Sequence, residues 1–265
     1  MENNLNIRFK ELSGILTAGI NPEGFWTGEL SSSALGVAVA VAALHFDSSN
    51  KNSNEISKGL QWLKNNINTD GSFGDTPESP GNISTTLLVY AAVNLYGDKD
   101  KSLQELQKQM ADYLQKNSID VTSNQVAEII LAHYKKDYTF SVPILTMSAL
   151  CGIPEKDAFK NIPQLPFELS LLPRNFYKML NLSVVSYAIP ALVAVGIVIF
   201  KNKKSNGFAR WVRNKSVNKS LSLLQKLIPE SGGFLEAIPL TAFVLLSLIG
   251  AGYSDLNVVK KVSGF

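Results

Sequence analysis

The sequence predicts an all-α protein, built as an α/α barrel (toroid) of helical hairpins, and two observations support this prediction. The apolar stretches are mostly too long for β-strands, and no alternating pattern is bounded by Asn-Gly turns. Amphipathic segments also alternate with segments that are apolar on every side. An outer ring of helices facing water and an inner ring facing other helices would produce this alternation. We expect a single barrel domain over residues 1–265.

The predicted elements follow this alternation along the chain. In order they are amphipathic Leu5–Ile20, apolar Ser31–Phe46, amphipathic Glu55–Ile67, apolar Asn82–Tyr96 and charged Lys101–Lys116, and later uncharged stretches are Met179–Phe200 and "AIPLTAFVLLSLIGAGYS".

Three Gly-aromatic stretches precede apolar segments: "EGFWTGEL" at Glu23–Leu30, "DGSFGDT" at Asp70–Thr76 and "SGGFLEA" at Ser231–Ala237. Glycine allows a tight turn, and an aromatic side chain can fill the gap between adjacent helices. We interpret the stretches as boundaries of a helical-hairpin repeat. Three unrelated helix ends are the alternative.

Composition excludes several classes of function. With 25 basic and 22 acidic residues the net charge is +3, too balanced to indicate a nucleic-acid partner. The one cysteine, Cys151, excludes a disulfide framework and a cysteine metal site. His45 and His133 stand in no metal-ligand spacing, so we expect no metal and no cofactor. The polar start of the chain indicates no signal peptide, which predicts a cytoplasmic protein.

Hydrophobic residues make up 45% and charged residues 18%, which favours membrane association or a large apolar partner face. Met179–Phe200 is uncharged and precedes several lysines, so its length would suit a membrane span. Asn181, Ser183, Ser186 and Pro190 inside it argue against a span and favour an inner barrel helix. The sequence leaves both interpretations open.

A basic and aromatic stretch, "NKKSNGFARWVRNK" at Asn202–Lys215, is the main surface candidate. Aromatics flanked by basic residues suit a helix docked on an anionic bilayer. The predicted docking residues are Phe208, Arg210, Trp211 and Arg213. The alternative is a solvated basic helix whose aromatics pack on the barrel.

The Gly-aromatic stretches and their order resemble the squalene-hopene and oxidosqualene cyclase family, the class II terpene cyclases. "KGLQWLKNNINTDGSFG", with Trp62 and Phe73, and "NKSLSLLQKLIPESGGF", with Phe234, are similar to the family's QW repeats. They depart from the repeat in that Ile67 and Ile228 replace its Gln, and Phe73 and Phe234 replace its Trp. The first turn contains Trp26, and "GNISTTLLVYAAVNLYG" and "LPFELSLLP" follow in the family's order. The resemblance covers nearly the whole chain as the N-terminal-half barrel of these cyclases.

The resemblance also implies a substrate cavity lined partly by this half. The matching positions are Met147 and the segment Ala237, Ile238, Pro239 and Leu240. Ile238 stands where the family has Gln, which predicts an apolar isoprenoid or triterpene ligand.

One departure from the family matters most for function. The cyclases protonate an alkene with the central Asp of an Asp-x-Asp-Asp motif in the other barrel, and these 265 residues contain no such motif. Asn82 and Ser84 also replace two family aspartates.

We therefore assign no catalytic residue here, and we expect a subunit of a split terpene cyclase whose separately encoded partner barrel supplies the acid. We expect it to be peripherally membrane-associated. The alternatives are a non-enzymatic isoprenoid-binding or scaffold protein and a polytopic membrane protein.

Overall fold

The computed structural model describes residues 2–28, 30–47, 52–97, 100–135, 137–172, 188–204 and 207–264. It divides into two compact units, Met1–Ser32 and Ser33–Phe265.

The first unit is one helix followed by a turn. Helix α1 spans Glu2–Ala18, which confirms the helix predicted over Leu5–Ile20. Trp26 folds back on it, because its indole Nε1 donates a hydrogen bond to the carbonyl oxygen of Leu16 at 2.7 Å. The predicted apolar face is exposed: Leu5, Phe9, Leu12 and Leu16 each keep at least 60% of their surface accessible.

The second unit is also helical. Its α-helices are α2 (Ala34–Phe46), α3 (Ser53–Asn65), α4 (Ile83–Asn94), α5 (Lys101–Lys116), α6 (Gln125–His133), α7 (Tyr138–Leu150), α8 (Ile189–Asn202), α9 (Phe208–Leu227), α10 (Ile238–Gly250) and α11 (Asn257–Val262). Short 3₁₀ helices span Phe167–Leu171 and Phe234–Glu236. The described residues contain no β-strand, only an isolated bridge between Ile20 and Trp26 in the first unit.

Five of these helices form a closed inner ring in the order α2, α4, α7, α8, α10 and back to α2. Each has an outer helix packed against it: α3 on α2, α5 on α4, α6 on α7, α9 on α8 and α11 on α10. The second unit is thus an α/α barrel of helical hairpins. The predicted alternation of amphipathic and apolar segments is confirmed as the alternation of outer and inner helices.

Contacts at the carboxyl ends of the inner helices show that they run parallel. The Asn94 side chain at the end of α4 donates to the carbonyl oxygen of Cys151 just after α7, at 3.0 Å. The Asn202 amide at the end of α8 reaches the carbonyl oxygen of Gly250 at the end of α10, at 3.4 Å. His45 at the end of α2 lies 2.9 Å from the hydroxyl of Tyr96, just beyond α4.

At the other end the helices begin together, and side chains satisfy their free amide groups. Ser33, Asn82 and Asp137 accept hydrogen bonds from the first turns of α2, α4 and α7. The side chain of Pro239, in the first turn of α10, would lie 3.7 Å from a Cβ at Gly36 in α2. The parallel arrangement therefore gives the ring an amino-terminal end and a carboxyl-terminal end.

The interior of the ring is filled by side chains. In α4, the residues from Ser84 to Val89 and from Ala91 to Val93 are buried, and burial is similarly continuous in α7 and α8. Helix α7 contains Pro143, a residue that ordinarily ends a helix. Most residues in the middle of the inner helices are buried, so the described part of the ring is filled by a packed core.

No helix among the described ranges combines the length and apolar character needed to cross a bilayer. Residues 179–187 of the candidate span Met179–Phe200 lie outside the described residues. Its last part forms inner helix α8.

Candidate functional site

The turn at Asp70–Thr76, here the Phe73 turn, carries outer helix α3 into inner helix α4. Phe73 is 1% exposed, and its backbone N–H donates to the hydroxyl of Thr86 in the first turns of α4, at 2.9 Å. Gly71 has φ +86°, and a Cβ there would lie 2.5 Å from the carbonyl oxygen of Gln109 in α5. Only glycine fits this position, because the backbone is left-handed and a neighbouring helix touches it.

The turn at Ser231–Ala237, here the Phe234 turn, repeats this construction between α9 and α10. Phe234 is 2% exposed, and its N–H donates to the Thr241 hydroxyl at 2.9 Å. Thr86 and Thr241 are both the fourth residue of their inner helix. Gly232 has φ +91° and precedes Phe234 by two residues, as Gly71 precedes Phe73. The two turns are therefore structural repeats.

The other two predicted repeat aromatics differ from these. Trp62 in α3 is partly buried and packs against the core. Trp26 belongs to the first unit and is 58% exposed. Its turn contains Gly24 with φ +89°, but Glu29 lies outside the described residues.

The residues predicted to line a cavity occupy two different environments. Met147 is fully buried in the last turn of α7. Ile238, the first residue of α10, is 57% exposed, and its neighbours Ala237, Pro239 and Leu240 are partly buried. The structure therefore places Ala237–Leu240 at the amino-terminal end of the ring, and Met147 within the packed ring.

A carboxyl group that protonates an alkene must be neutral and strongly acidic. Asp100 and Asp120 are exposed and do not meet the requirement to be neutral. The hydroxyl and backbone N–H of Ser102 lower the pKa of Asp100, and the same groups of Thr122 lower the pKa of Asp120. Both carboxyl groups are held in the ionised form and suit helix capping and turns.

The predicted docking residues Phe208, Arg210, Trp211 and Arg213 lie in the first two turns of α9, near the carboxyl-terminal end of the ring. Phe208 and Trp211 are 78% and 53% exposed, and their rings stack at a centroid distance of 5.7 Å. The Lys215 ammonium lies 4.1 Å from the centre of the Trp211 ring, and Arg210 is exposed. Phe208, Trp211 and Lys215 form one exposed aromatic and basic strip, and Arg210 is exposed beside it.

Arg213 turns away from this strip. Its Nε donates to Glu168 Oε1 at 3.0 Å, and both side chains are only 18% exposed. The pair joins α9 to the 3₁₀ helix Phe167–Leu171. That helix crosses α8 closely, since a Cβ at Gly196 would lie 3.0 Å from Phe167 Cβ.

The remaining candidates for chemistry have structural environments. Cys151 is buried, and this burial raises the pKa of its thiol to about 12. His45 contacts the Tyr96 hydroxyl, and burial raises the pKa of Tyr96 to about 12. His133 lies edge-to-face against Tyr134. Across the part of the chain that the structure describes, no three His, Cys, Asp or Glu side chains gather in a metal-binding group.

Sequence reasoning missed a group of exposed side chains at the amino-terminal end. Tyr138 and Phe140, in the first turn of α7, are 42% and 54% exposed, and Phe140 stacks on Tyr134. Leu235 in the Phe234 turn is 62% exposed. In the sequence these residues resemble core positions, and only the placement of the helix starts shows them to be at the surface.

Comparison with known proteins agrees with this architecture. The family model described as the squalene-hopene cyclase N-terminal domain matches residues 10–143, just over half of the chain. A squalene hopane cyclase of Aspergillus fumigatus is 35% identical over 72 residues, which cover 27% of this chain. The match spans only 10% of that relative's length. The helical-hairpin barrel, its repeated Gly-x-Phe turns and the matched family model together show that this chain belongs to the squalene-hopene cyclase N-terminal domain family.

Proposed function

We propose that this barrel is one half of a split class II terpene or triterpene cyclase. It completes a hydrophobic cavity, while a partner barrel carrying Asp-x-Asp-Asp supplies the general acid. Family membership supports the class of chemistry. The 265 residues contain no Asp-x-Asp-Asp, so the proton must come from elsewhere.

The filled ring is the observation that carries this proposal. The inner helices are buried along their middles, and Met147 has no accessible surface. A polyprenyl chain therefore has to be held at an end of the ring, where a second barrel can close the cavity. The segment Ala237–Leu240, which includes Ile238, lies at the amino-terminal end of the ring. Its side chains are all apolar, so as a cavity wall it suits an isoprenoid or triterpene hydrocarbon.

The aromatic and basic strip supports peripheral association with an anionic bilayer. Phe208 and Trp211 present apolar surface, and Arg210 and Lys215 accompany them with positive charge. Arg213 contributes through its pair with Glu168, which holds α9 in place.

Activity assays with and without the partner test the split organisation. Alone, the chain should convert neither squalene nor a shorter polyprenyl substrate. Co-expressed with a chain from the same genome that carries Asp-x-Asp-Asp, it should support cyclisation, and Asp→Asn in that motif should abolish turnover without preventing assembly. Cyclised product from the isolated chain, above a heat-killed control, would refute the proposal.

Within the active pair, Ile238→Gln should alter the product spectrum or the rate, because it places a polar group in the apolar wall. Phe208→Gln, at the opposite end, is the matched control and should leave products in detergent unchanged. Equal effects of both substitutions would contradict the assignment of the wall.

Vesicle flotation tests the membrane surface. Phe208→Ser with Trp211→Ser should weaken binding to anionic vesicles, and high salt or carbonate should release the unaltered protein. Tyr138→Ser with Phe140→Ser removes two exposed aromatics from the other end and serves as the control. Equal loss in both double variants would show that the strip is not the docking surface.

If no acid-bearing chain associates, a non-enzymatic isoprenoid-binding scaffold becomes the better interpretation. The exposed apolar Ile238 wall favours this alternative as much as it favours the cyclase half. Binding of squalene without turnover in any pairing would support it.

A further inference from the structure

Two hydroxyl groups buried in the inner ring have no hydrogen-bond partner within the described ranges. They are Oγ1 of Thr146 in α7 and Oγ of Ser247 in α10, and each side chain is only 1% exposed. Ser148 in α7 is equally buried, but its hydroxyl donates to the carbonyl oxygen of Ile144 at 2.9 Å. A buried hydroxyl without a partner is rare in folded proteins, because its lost hydration is not offset by another hydrogen bond. Thr146 and Ser247 therefore require a partner that the surrounding packed side chains do not supply.

A close contact near the carboxyl-terminal end of the ring fixes the level of these two hydroxyls. A Cβ at Gly250 in α10 would lie 2.7 Å from Leu150 Cδ2 in α7 and 3.3 Å from Val198 Cγ2 in α8, so the three helices meet there. Thr146 precedes Leu150 by four residues, and Ser247 precedes Gly250 by three. Residues three or four apart share one face of a helix. Because the inner helices run parallel, Thr146 and Ser247 lie one turn below this contact, on the faces that meet.

Helix α8 contributes a small side chain at the same level. Ala194 precedes Val198 by four residues and is fully buried. The level therefore holds Thr146, Ala194 and Ser247, which fill less space than Leu150 and Val198 one turn above. A buried water needs both room and at least two polar groups to bind. A level of small side chains with two unpaired hydroxyls provides the polar groups and takes up little space.

We propose that Thr146 and Ser247 bind one ordered water molecule between α7, α8 and α10. Each hydroxyl donates to this water or accepts from it, so the water links α7 to α10, the two neighbours of α8 in the ring. Such a polar link specifies the register of the two helices, which apolar packing alone specifies less strictly. The inference concerns only the packed ring and is independent of any partner barrel.

Thermal unfolding distinguishes a bound water from two hydroxyls without any partner. Thr146→Val nearly preserves the shape of the side chain, and Ser247→Ala removes only the hydroxyl. With the water bound, each change leaves it without one partner, so each variant should lower Tm by about 3 °C. The double variant removes the whole site, so its loss should be smaller than the sum of the two single losses.

Ser148→Ala is the matched control, because this hydroxyl is as buried as the other two and bonds within its own helix. Its effect should add to that of Ser247→Ala. An unchanged or raised Tm in Thr146→Val or Ser247→Ala would overturn the inference, because removing a hydroxyl without a partner does not destabilise the fold. Additive losses in the Thr146 and Ser247 pair would overturn it as well.

The water can also be observed directly. A high-resolution crystal structure of the full chain should show one water within hydrogen-bond distance of both hydroxyls. In solution, magnetic relaxation dispersion should count one long-lived water fewer in the double variant than in the unaltered chain, and an unchanged number in Ser148→Ala. A direct hydrogen bond between the two hydroxyls, or bonds from them to carbonyl oxygens of their own helices with no water at the site, would contradict the inference.

Discussion

The Phe73 turn and the Phe234 turn contain the same buried part and differ in their exposed part. Both place a Phe in the core and bind its N–H to a Thr hydroxyl at 2.9 Å. The Phe73 turn then takes ten residues to reach α4 at Ile83, whereas the Phe234 turn reaches α10 at Ile238 in four.

The longer connection is closed by its own hydrogen bonds. The N–H of Asn82 donates to the carbonyl oxygen of Phe73 at 2.9 Å, and the Asn82 side chain both caps α4 and donates to Asp75 at 2.9 Å. The shorter connection forces Leu235 and Glu236 into left-handed backbone and leaves Leu235 exposed. The buried Phe and Thr therefore belong to the repeat, and the exposed connection is free to serve binding.

The largest expected effect comes from removing the buried rings. Phe73→Ala should lower the free energy of unfolding by about 4 kcal/mol, and Phe234→Ala by about 3 kcal/mol. The difference arises because the closed Phe73 turn cannot collapse into the cavity, while the open Phe234 turn can relax. Urea unfolding followed by circular dichroism measures both. Leu235→Ala is the exposed control, and a Phe234→Ala loss larger than that of Phe73→Ala would contradict the comparison.

Glycine substitutions separate close contact from backbone strain. Gly71→Ala should cost about 3 kcal/mol, since its Cβ would meet the carbonyl oxygen of Gln109 in a left-handed backbone. Gly24 also has a positive φ, but no atom lies within 4 Å of a Cβ placed there. Gly24→Ala should therefore cost only about 1 kcal/mol. Thermal unfolding of the two variants tests this, and equal losses would show that the contact with α5 is unimportant.

Removing the hydroxyls of Thr86 and Thr241 should lower the free energy of unfolding by an intermediate amount. Thr86→Val and Thr241→Val each leave a buried Phe N–H without an acceptor, which costs about 2 kcal/mol. Thr86→Ser and Thr241→Ser keep the hydroxyl and should recover part of that loss. If the Ser variants were no more stable than the Val variants in urea, the shared hydrogen bond would not be what makes the two turns equivalent.

The smallest effect has the opposite sign. Leu235→Asn should raise the free energy of unfolding of the isolated chain by about 0.5 kcal/mol, because Asn tolerates left-handed backbone better than Leu does. The corresponding substitution in the closed turn, Gly74→Asn, should be strongly destabilising, because a Cβ there would collide with the carbonyl oxygen of Ser79. A destabilising Leu235→Asn would show that packing of the Leu235 side chain outweighs the strain of its backbone.

Sequence reasoning succeeded for features with a local physical cause. Helical periodicity separated inner from outer helices because a helix surrounded by helices must be apolar on every side. The Gly-x-Phe turns were found because left-handed backbone requires Gly71 and Gly232 and the gap between hairpins requires a ring. Helix α7 lacked such a signal, since Pro143 interrupts it and its apolar character has no period.

The tertiary structure alone decided which apolar residues are exposed and what the charged ones contact. Ring closure buries Met147 completely and leaves Tyr138, Phe140 and Ile238 accessible, although all four stand in apolar helices. Arg213 meets Glu168 across 45 residues of chain, a pairing that local sequence does not indicate. Local sequence determines a helix and its apolar content, whereas burial depends on which distant elements pack around it. In this protein that packing distinguishes a filled ring from its two exposed apolar ends.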